Sequence, residues 1–283
     1  MDDAKRLYLD LMKSALTYLL YGQETYMPAS RPQSFVKRIV YDALRKRGIV
    51  PMRQIVLDRE KRIAGRDWPP TALTMIGMKR LQNLQCCVED VLAHDVPGDI
   101  VEAGTWRGGA AIFLRGILKA YGVKNRSVWV ADSFEGLPTP DPDRFPADAG
   151  DYDHTNPFLA VPLEQVKLNF SRFGLLDDQV HFVKGWFQDT LPTLKDLKWS
   201  AIRIDADMYQ STMDAIRFLY PNLSVGGYVI IDDYGGLACC REAVLDYRAA
   251  NRITEEICSV DWTGVYWQGV HQPDHVKVGA AGQ

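Results

Sequence analysis

What this chain of 283 residues has little of sets its first limits. It has no excess of positive charge: 33 Lys and Arg stand against 36 Asp and Glu, a net charge of −3. A nucleic-acid surface needs a basic excess, so that class of partner is not expected. No apolar run approaches the roughly 18 residues of a membrane span, so no membrane partner is expected either. The opening MDDAKRLYLDLMKSAL is amphipathic and acidic at its tip, unlike a signal peptide. Cysteine is sparse and oddly placed. There are five, Cys86, Cys87, Cys239, Cys240 and Cys258, in two adjacent pairs and a singleton, with no C-x-x-C spacing. Neighbouring cysteines rarely bridge, and zinc has no ligand spacing to use. The expectation is a set of small apolar side chains in a reducing cytosol. There is no G-x-G-x-x-G, which removes the usual pyrophosphate cradle, and no internal repeat.

What is present falls into two regions. Residues 1–95 read as helical. LYLDLMKSALTYLLY places Leu7, Leu11, Leu16 and Leu19 near one face, SFVKRIVYDALRKRG repeats the pattern, and a third helix carries a stripe of Met78, Leu81, Leu84, Val88, Val91 and Leu92. YGQETYMPASRPQ between the first two reads as a loop. GRDWPPTALTMIG reads as an irregular linker, since Pro69 and Pro70 bar a helix through Trp68. Over residues 96–283 the rhythm changes. DIVEAG, SVWVAD, QVHFVKG, SAIRID, GGYVIID, TEEICSV and GVYWQGV are strand candidates, most of them separated by helical segments. That alternation predicts a mostly parallel sheet covered on both faces, a doubly wound α/β core beneath an N-terminal helical cap.

In such sheets ligands bind beyond the carboxyl ends of the strands, where strand order reverses. The first strand runs into VEAGTWRGGAA. Its glycines allow close backbone approach, and Glu102 would repel phosphate but suit a cationic ligand. A plain strand-to-helix turn explains the same residues. The second strand ends at Asp132, a position suited to the two hydroxyls of a ribose, or simply to a solvated or capping Asp. After the third, Gly185, Trp186 and Phe187 offer a flat surface for adenine, or ordinary packing. The fourth and fifth end in acidic pairs, Asp205 with Asp207 and Asp232 with Asp233. Like charges 4 Å apart repel by about 4 kcal/mol at an effective dielectric of 20. A hard divalent cation such as Mg²⁺ relieves that repulsion and keeps room for a substrate oxygen. No histidine lies beside these pairs, which disfavours zinc or iron. Helix capping by Asp205 is the ordinary alternative.

Taken together, VEAGTWRGGA, VWVADSFEGLP, FSRFGLLDDQVHFVKGWFQDTLP, RIDADMYQSTMDA and LSVGGYVIIDDY resemble the macrocin O-methyltransferase family, whose members methylate sugar hydroxyls of macrolides and aminocoumarins. The resemblance implies a class I fold of seven strands, the last antiparallel, with residues 1–95 as a lid and residues 96–283 as the cofactor-binding core. It implies S-adenosylmethionine bound by Glu102, Gly104, Thr105, Trp106 and Gly109, by Asp132 and Ser133, by Gly185 and Trp186, and by Asp205. Thr74 and Met75 would form the lid edge. It implies Mg²⁺ on Asp205, Asp232 and Asp233, a hydroxylated, glycosylated acceptor, a homodimer and a cytoplasmic location. Asp207 is the leading general base, with Asp205 as the other candidate. The family more often has glycine where this chain has Ala206, which matters only if that backbone needs a positive φ. Three rivals stand beside this reading. One is a metal-dependent glycosyltransferase using Asp205-Ala206-Asp207, which leaves Asp232 and Asp233 idle. The second is a phosphohydrolase, whose acidic motif belongs on the first core strand. The third is a non-catalytic cofactor-binding scaffold.

Overall fold

The computed structural model describes residues 2–22 and 24–271. The chain opens with α1 (Asp3–Leu16), β1 (Glu24–Pro28), α2 (Phe35–Lys46), β2 (Met52–Val56), α3 (Arg59–Ala64) and α4 (Met78–Ala93). The alternating region follows as β3 (Asp99–Ala103), α5 (Gly109–Ala120), β4 (Val128–Asp132), α6 (Leu163–Arg172), β5 (Val180–Lys184), α7 (Phe187–Thr190), β6 (Trp199–Ile204), α8 (Tyr209–Leu219), β7 (Leu223–Ile231), α9 (Ala238–Ala250), β8 (Cys258–Ser259) and β9 (Val265–Gln268).

Seven of these strands form one sheet in the order β5-β4-β3-β6-β7-β9-β8. The five strands from β3 to β7 are parallel; β9 runs antiparallel to β7 and to β8. This is the seven-stranded, mostly parallel α/β fold that the alternation predicted. The parallel strands read as nearly unbroken apolar runs because helices cover both faces, and every residue of β6 is buried. One face packs on α1, α4, α5 and α6 through Leu9, Leu16, Leu81, Leu84, Ile112 and Phe170. The other packs on α8 and α9 through Trp199, Ile216, Leu219, Val244 and Trp267. Helices α1 and α4 therefore share the sheet's own core. Leu9 and Leu16 are wholly buried there, each contributing about 2 kcal/mol of apolar burial. No helix among the described residues is long and apolar enough to cross a membrane, and the five thiols are unpaired.

The stretch expected to be a loop contains β1, which pairs antiparallel with β2 from Glu24 opposite Val56 to Pro28 opposite Met52. This ribbon escaped detection because β2 has no buried side and so no alternation to read. Helix α2, between its strands, buries none of its residues.

The strand order turns back between β3 and β6. Their carboxyl ends, with those of β4, β5 and β7, frame the crevice where ligands of such sheets bind.

Candidate active site

The crevice is built on a close approach. At the end of β3, Gly104 has φ +87°, and a Cβ there would lie 1.7 Å from the carbonyl oxygen of Asp205. Only glycine permits this contact. The Asp205 N–H donates to the Ala103 carbonyl at 2.9 Å, so the turn after β3 and the acid after β6 lie side by side. At the end of β4, Asp132 accepts from the Thr105 N–H at 2.7 Å and the Phe134 N–H at 2.6 Å, with the Ser133 hydroxyl 3.4 Å away. The Gly185 N–H donates to the Asp132 carbonyl at 2.9 Å and brings Trp186 to the rim. The result is a cavity of about 460 Å³. Met75, Gly104, Thr105, Trp106, Asp132, Ser133, Gly185, Trp186, Asp205 and Asp207 all line it, and residues 136–144 and the first turns of α8 close its far side.

Other expected residues stand behind that lining. The Gly109 N–H donates to the Leu73 carbonyl at 3.0 Å, and a Cβ at Gly109 would meet that oxygen at 2.4 Å. Gly109 thus lets the 73–75 segment lie against the start of α5, with Thr74 buried in between. Arg62 of α3 holds the same segment by donating to the carbonyls of Met75 and Ile76. Arg107 donates to the carbonyls of Pro70 and Ala72 and stacks 4.2 Å over Trp106.

Glu102 is fully buried and turned away from the cavity. It accepts from the Thr105 hydroxyl at 2.9 Å and from Arg203 at 2.6 Å. Burial pushes its carboxyl up to about 7 despite the guanidinium. Arg203, 2 % exposed, also donates to Asp205 at 2.8 Å and Asp232 at 2.6 Å. Arg80 of α4 adds an ion pair to Asp232, a 3.1 Å hydrogen bond to Asp261 and a 3.0 Å one to the Gly65 carbonyl. Burial would raise Asp232, but Arg80 and Arg203 outweigh it and hold its carboxyl below the usual range. Neither arginine was singled out from sequence. Arg203 left a trace, a charge inside a run that otherwise reads as a buried strand.

The remaining three acids gather on the cavity side. One carboxylate oxygen each from Asp205, Asp207 and Asp233 lies within 4.8 Å of the others. Burial and then the neighbouring acids raise all three; Asp207 reaches about 8, and Asp233 is held well above the usual carboxylate range. Oδ2 of Asp233 is buried without a hydrogen-bond partner. The positive φ in this turn falls on Asp207, at +56°, a conformation aspartate tolerates better than most residues. Ala206 does not share it, so its methyl sits in the core unstrained.

Comparison with known proteins identifies the family. The family model described as Macrocin-O-methyltransferase (TylF) matches residues 5–269. The chain is 49 % identical over 268 residues, 94 % of either chain, to 8-demethyl-8-(2,3-dimethoxy-alpha-L-rhamnosyl)-tetracenomycin-C 4'-O-methyltransferase of Streptomyces olivaceus. It is 47 % identical over 265 residues to mycinamicin III 3''-O-methyltransferase of Micromonospora griseorubida, covering 93 % of this chain and 96 % of that protein. The solved structure of the O-methyltransferase NovP superposes with a TM-score of 0.81 at 44 % identity, covering 94 % of this chain and all of that one. A calicheamicin methyltransferase, CalS11, shares the fold at a TM-score of 0.55 and 20 % identity, over 84 % of this chain and 94 % of that one. With most of its length matched and its crevice built from the motifs described above, this chain is an O-methyltransferase of the Macrocin-O-methyltransferase (TylF) family.

Proposed function

We propose that the chain transfers the methyl group of S-adenosylmethionine to a hydroxyl of a sugar or other polyol on a glycosylated natural product, with the help of a divalent cation such as Mg²⁺. The observation that carries this reading is the cavity at the strand-order reversal, lined by Asp132 and by Asp205 and Asp207 of the carboxylate cluster. Asp132 and Ser133 bind the ribose, Gly185 and Trp186 flank the adenine, and the Gly104–Trp106 turn holds the methionine part. The acidic flank suits a sulfonium, whose charge is positive.

The cluster also fits a cation. Three acids at this spacing repel pairwise by about 3–4 kcal/mol at an effective dielectric of 20, and Asp233 Oδ2 has no partner. Asp205, Asp207 and Asp233 present the converging oxygens; Asp232 would join them only by leaving its two arginines. A bound Mg²⁺ would orient the acceptor oxygen and lower its pKa. Asp207 accepts the hydroxyl proton, with Asp205 as the second candidate. Within residues 1–95, the 73–76 segment serves as the roof that excludes water.

The test is calorimetric titration with S-adenosylhomocysteine, followed by radiolabelled methyl transfer to mycinamicin III and demethyldecarbamoylnovobiocin, with and without EDTA. Saturable binding, and transfer that EDTA abolishes and Mg²⁺ restores, are expected. No binding would overturn the methyl-donor assignment, and full turnover in EDTA the cation.

We further propose a homodimer built on the arm formed by residues 24–56. Phe35, Val36, Ile39 and Val40 of α2 are each more than half exposed on one helix face. The arm carries seven basic and two acidic residues, a charge of +5, which leaves −8 on the rest of a chain of net −3. A second copy offers the complementary charge. Light scattering should report a dimer that Phe35→Asp with Ile39→Asp disperses. The unpaired thiols suit the cytosol, where we place the protein.

A further inference from the structure

The segment from 133 to 162 is the most acidic and proline-rich stretch of the chain, and one of its aspartates behaves unlike the rest. Asp148 is 2 % exposed. Its carboxylate accepts from two backbone N–H groups of a distant element, Tyr209 at 2.6 Å and Gln210 at 3.0 Å. These are the first two residues of α8, whose own preceding residue, Met208, offers no side-chain cap. The orphan donors of that helix terminus are thus satisfied by a residue 61 positions earlier in the chain. The ring of Phe145 lies 6.1 Å from that of Tyr209 and adds an apolar contact to the same junction.

Both sides of this junction border the cavity. Residues 136–144, just before the cap, form one wall, and Gln210 and Asp214 of α8 form another. Asp207, the cluster member in its left-handed conformation, is separated from α8 by Met208 alone. The turn has one further tether, the Cys239 thiol donating to the Asp207 carbonyl at 3.4 Å.

We propose that Asp148 is a positioning residue for methyl transfer: by capping α8 from the acidic loop, it docks the acceptor-side wall and sets the Asp207 turn in one stroke. The inference rests on the methyl-transfer reading above. Asp148 touches neither substrate nor cofactor in this role. It acts through the backbone of residues 207–210, where a displacement of about 1 Å at a reacting group costs up to 100-fold in rate.

The test compares wild type with Asp148→Ala and Asp148→Asn in the acceptor assay described above, using whichever of mycinamicin III and demethyldecarbamoylnovobiocin is turned over faster. The alanine variant should lose at least tenfold in kcat/KM for the acceptor while its affinity for S-adenosylhomocysteine stays within about threefold. The asparagine variant, which keeps one acceptor oxygen on the same geometry, should recover much of that loss. Amide hydrogen exchange at Tyr209 and Gln210 should accelerate in Asp148→Ala. Wild-type kinetics in Asp148→Ala would overturn the proposal. So would equal losses of acceptor turnover and cofactor binding, the mark of a merely destabilised fold. A wild-type protein that binds no S-adenosylhomocysteine while Asp148→Ala still frees those two amides would sink the methyl-transfer reading and the catalytic role, leaving only the cap.

Discussion

Replacing Arg203 by methionine tests the electrostatic core of the site. The guanidinium is 2 % exposed and is the shared partner of Glu102, Asp205 and Asp232. Methionine matches its length and removes its charge, leaving two buried carboxylates, Glu102 and Asp232, and the partly exposed Asp205, with Arg80 as the nearest compensation, on Asp232 alone. Breaking a buried ion pair from one side costs about 3–5 kcal/mol. At about 2 °C per kcal/mol for a chain of this size, the midpoint should fall by roughly 6–10 °C. The loss should depend on pH in a defined direction. Glu102 already titrates at about 7 in the folded protein, above its ordinary range. Without Arg203 its folded value climbs further, so the variant gains stability from protonation below neutral pH and loses it as pH rises. The gap between wild type and Arg203→Met, measured by urea unfolding at pH 5.5 and at pH 8, should therefore be smaller at the lower pH. A gap under about 1 kcal/mol at pH 8, or one that does not change with pH, would refute the reasoning.

Other outcomes follow from single contacts. Gly104→Ala forces a methyl against the Asp205 carbonyl at a positive φ; calorimetry should show S-adenosylhomocysteine affinity falling at least tenfold. Ala206→Gly should leave turnover within about twofold and lower stability by about 0.5–1 kcal/mol, because the left-handed residue is its neighbour, Asp207. Arg115 grips Asp177 with two hydrogen bonds, at 2.9 and 2.7 Å, and holds its carboxyl below the usual range. Asp177→Asn should cost about 1–2 kcal/mol in chemical unfolding at neutral pH. Since the folded value is the depressed one, that cost should vanish as pH falls through it.

The sheet was legible because its parallel strands are buried on both faces and so appear as continuous apolar runs, each ended by a glycine or an acid. The cavity-facing residues were legible for a related reason: in this architecture the position after a strand is the position of the ligand. The β1–β2 ribbon was not, since β2 has no buried side to carry a period and β1 buries Thr25 alone. Arg80 meets Asp232 across 152 residues and Asp148 meets α8 across 61; no local pattern announces such contacts. The role of Glu102 depended on them. From sequence its carboxylate faced the ligand, whereas Arg203 draws it into the interior. The four acids likewise read as two equivalent pairs, and two guanidiniums separate Asp232 from the rest.

The Arg80 node has a consequence for synthesis of the chain. One guanidinium gathers the carbonyl of residue 65, the carboxylate of residue 232 and that of residue 261. A polypeptide growing from its N-terminus makes Arg80 early, but supplies its last counter-charge, Asp261, only 181 residues later. The acidic centre therefore cannot reach its final charge balance during translation of the earlier strands. Chains released before residue 261 would leave Arg80 with Asp232 as its one carboxylate partner.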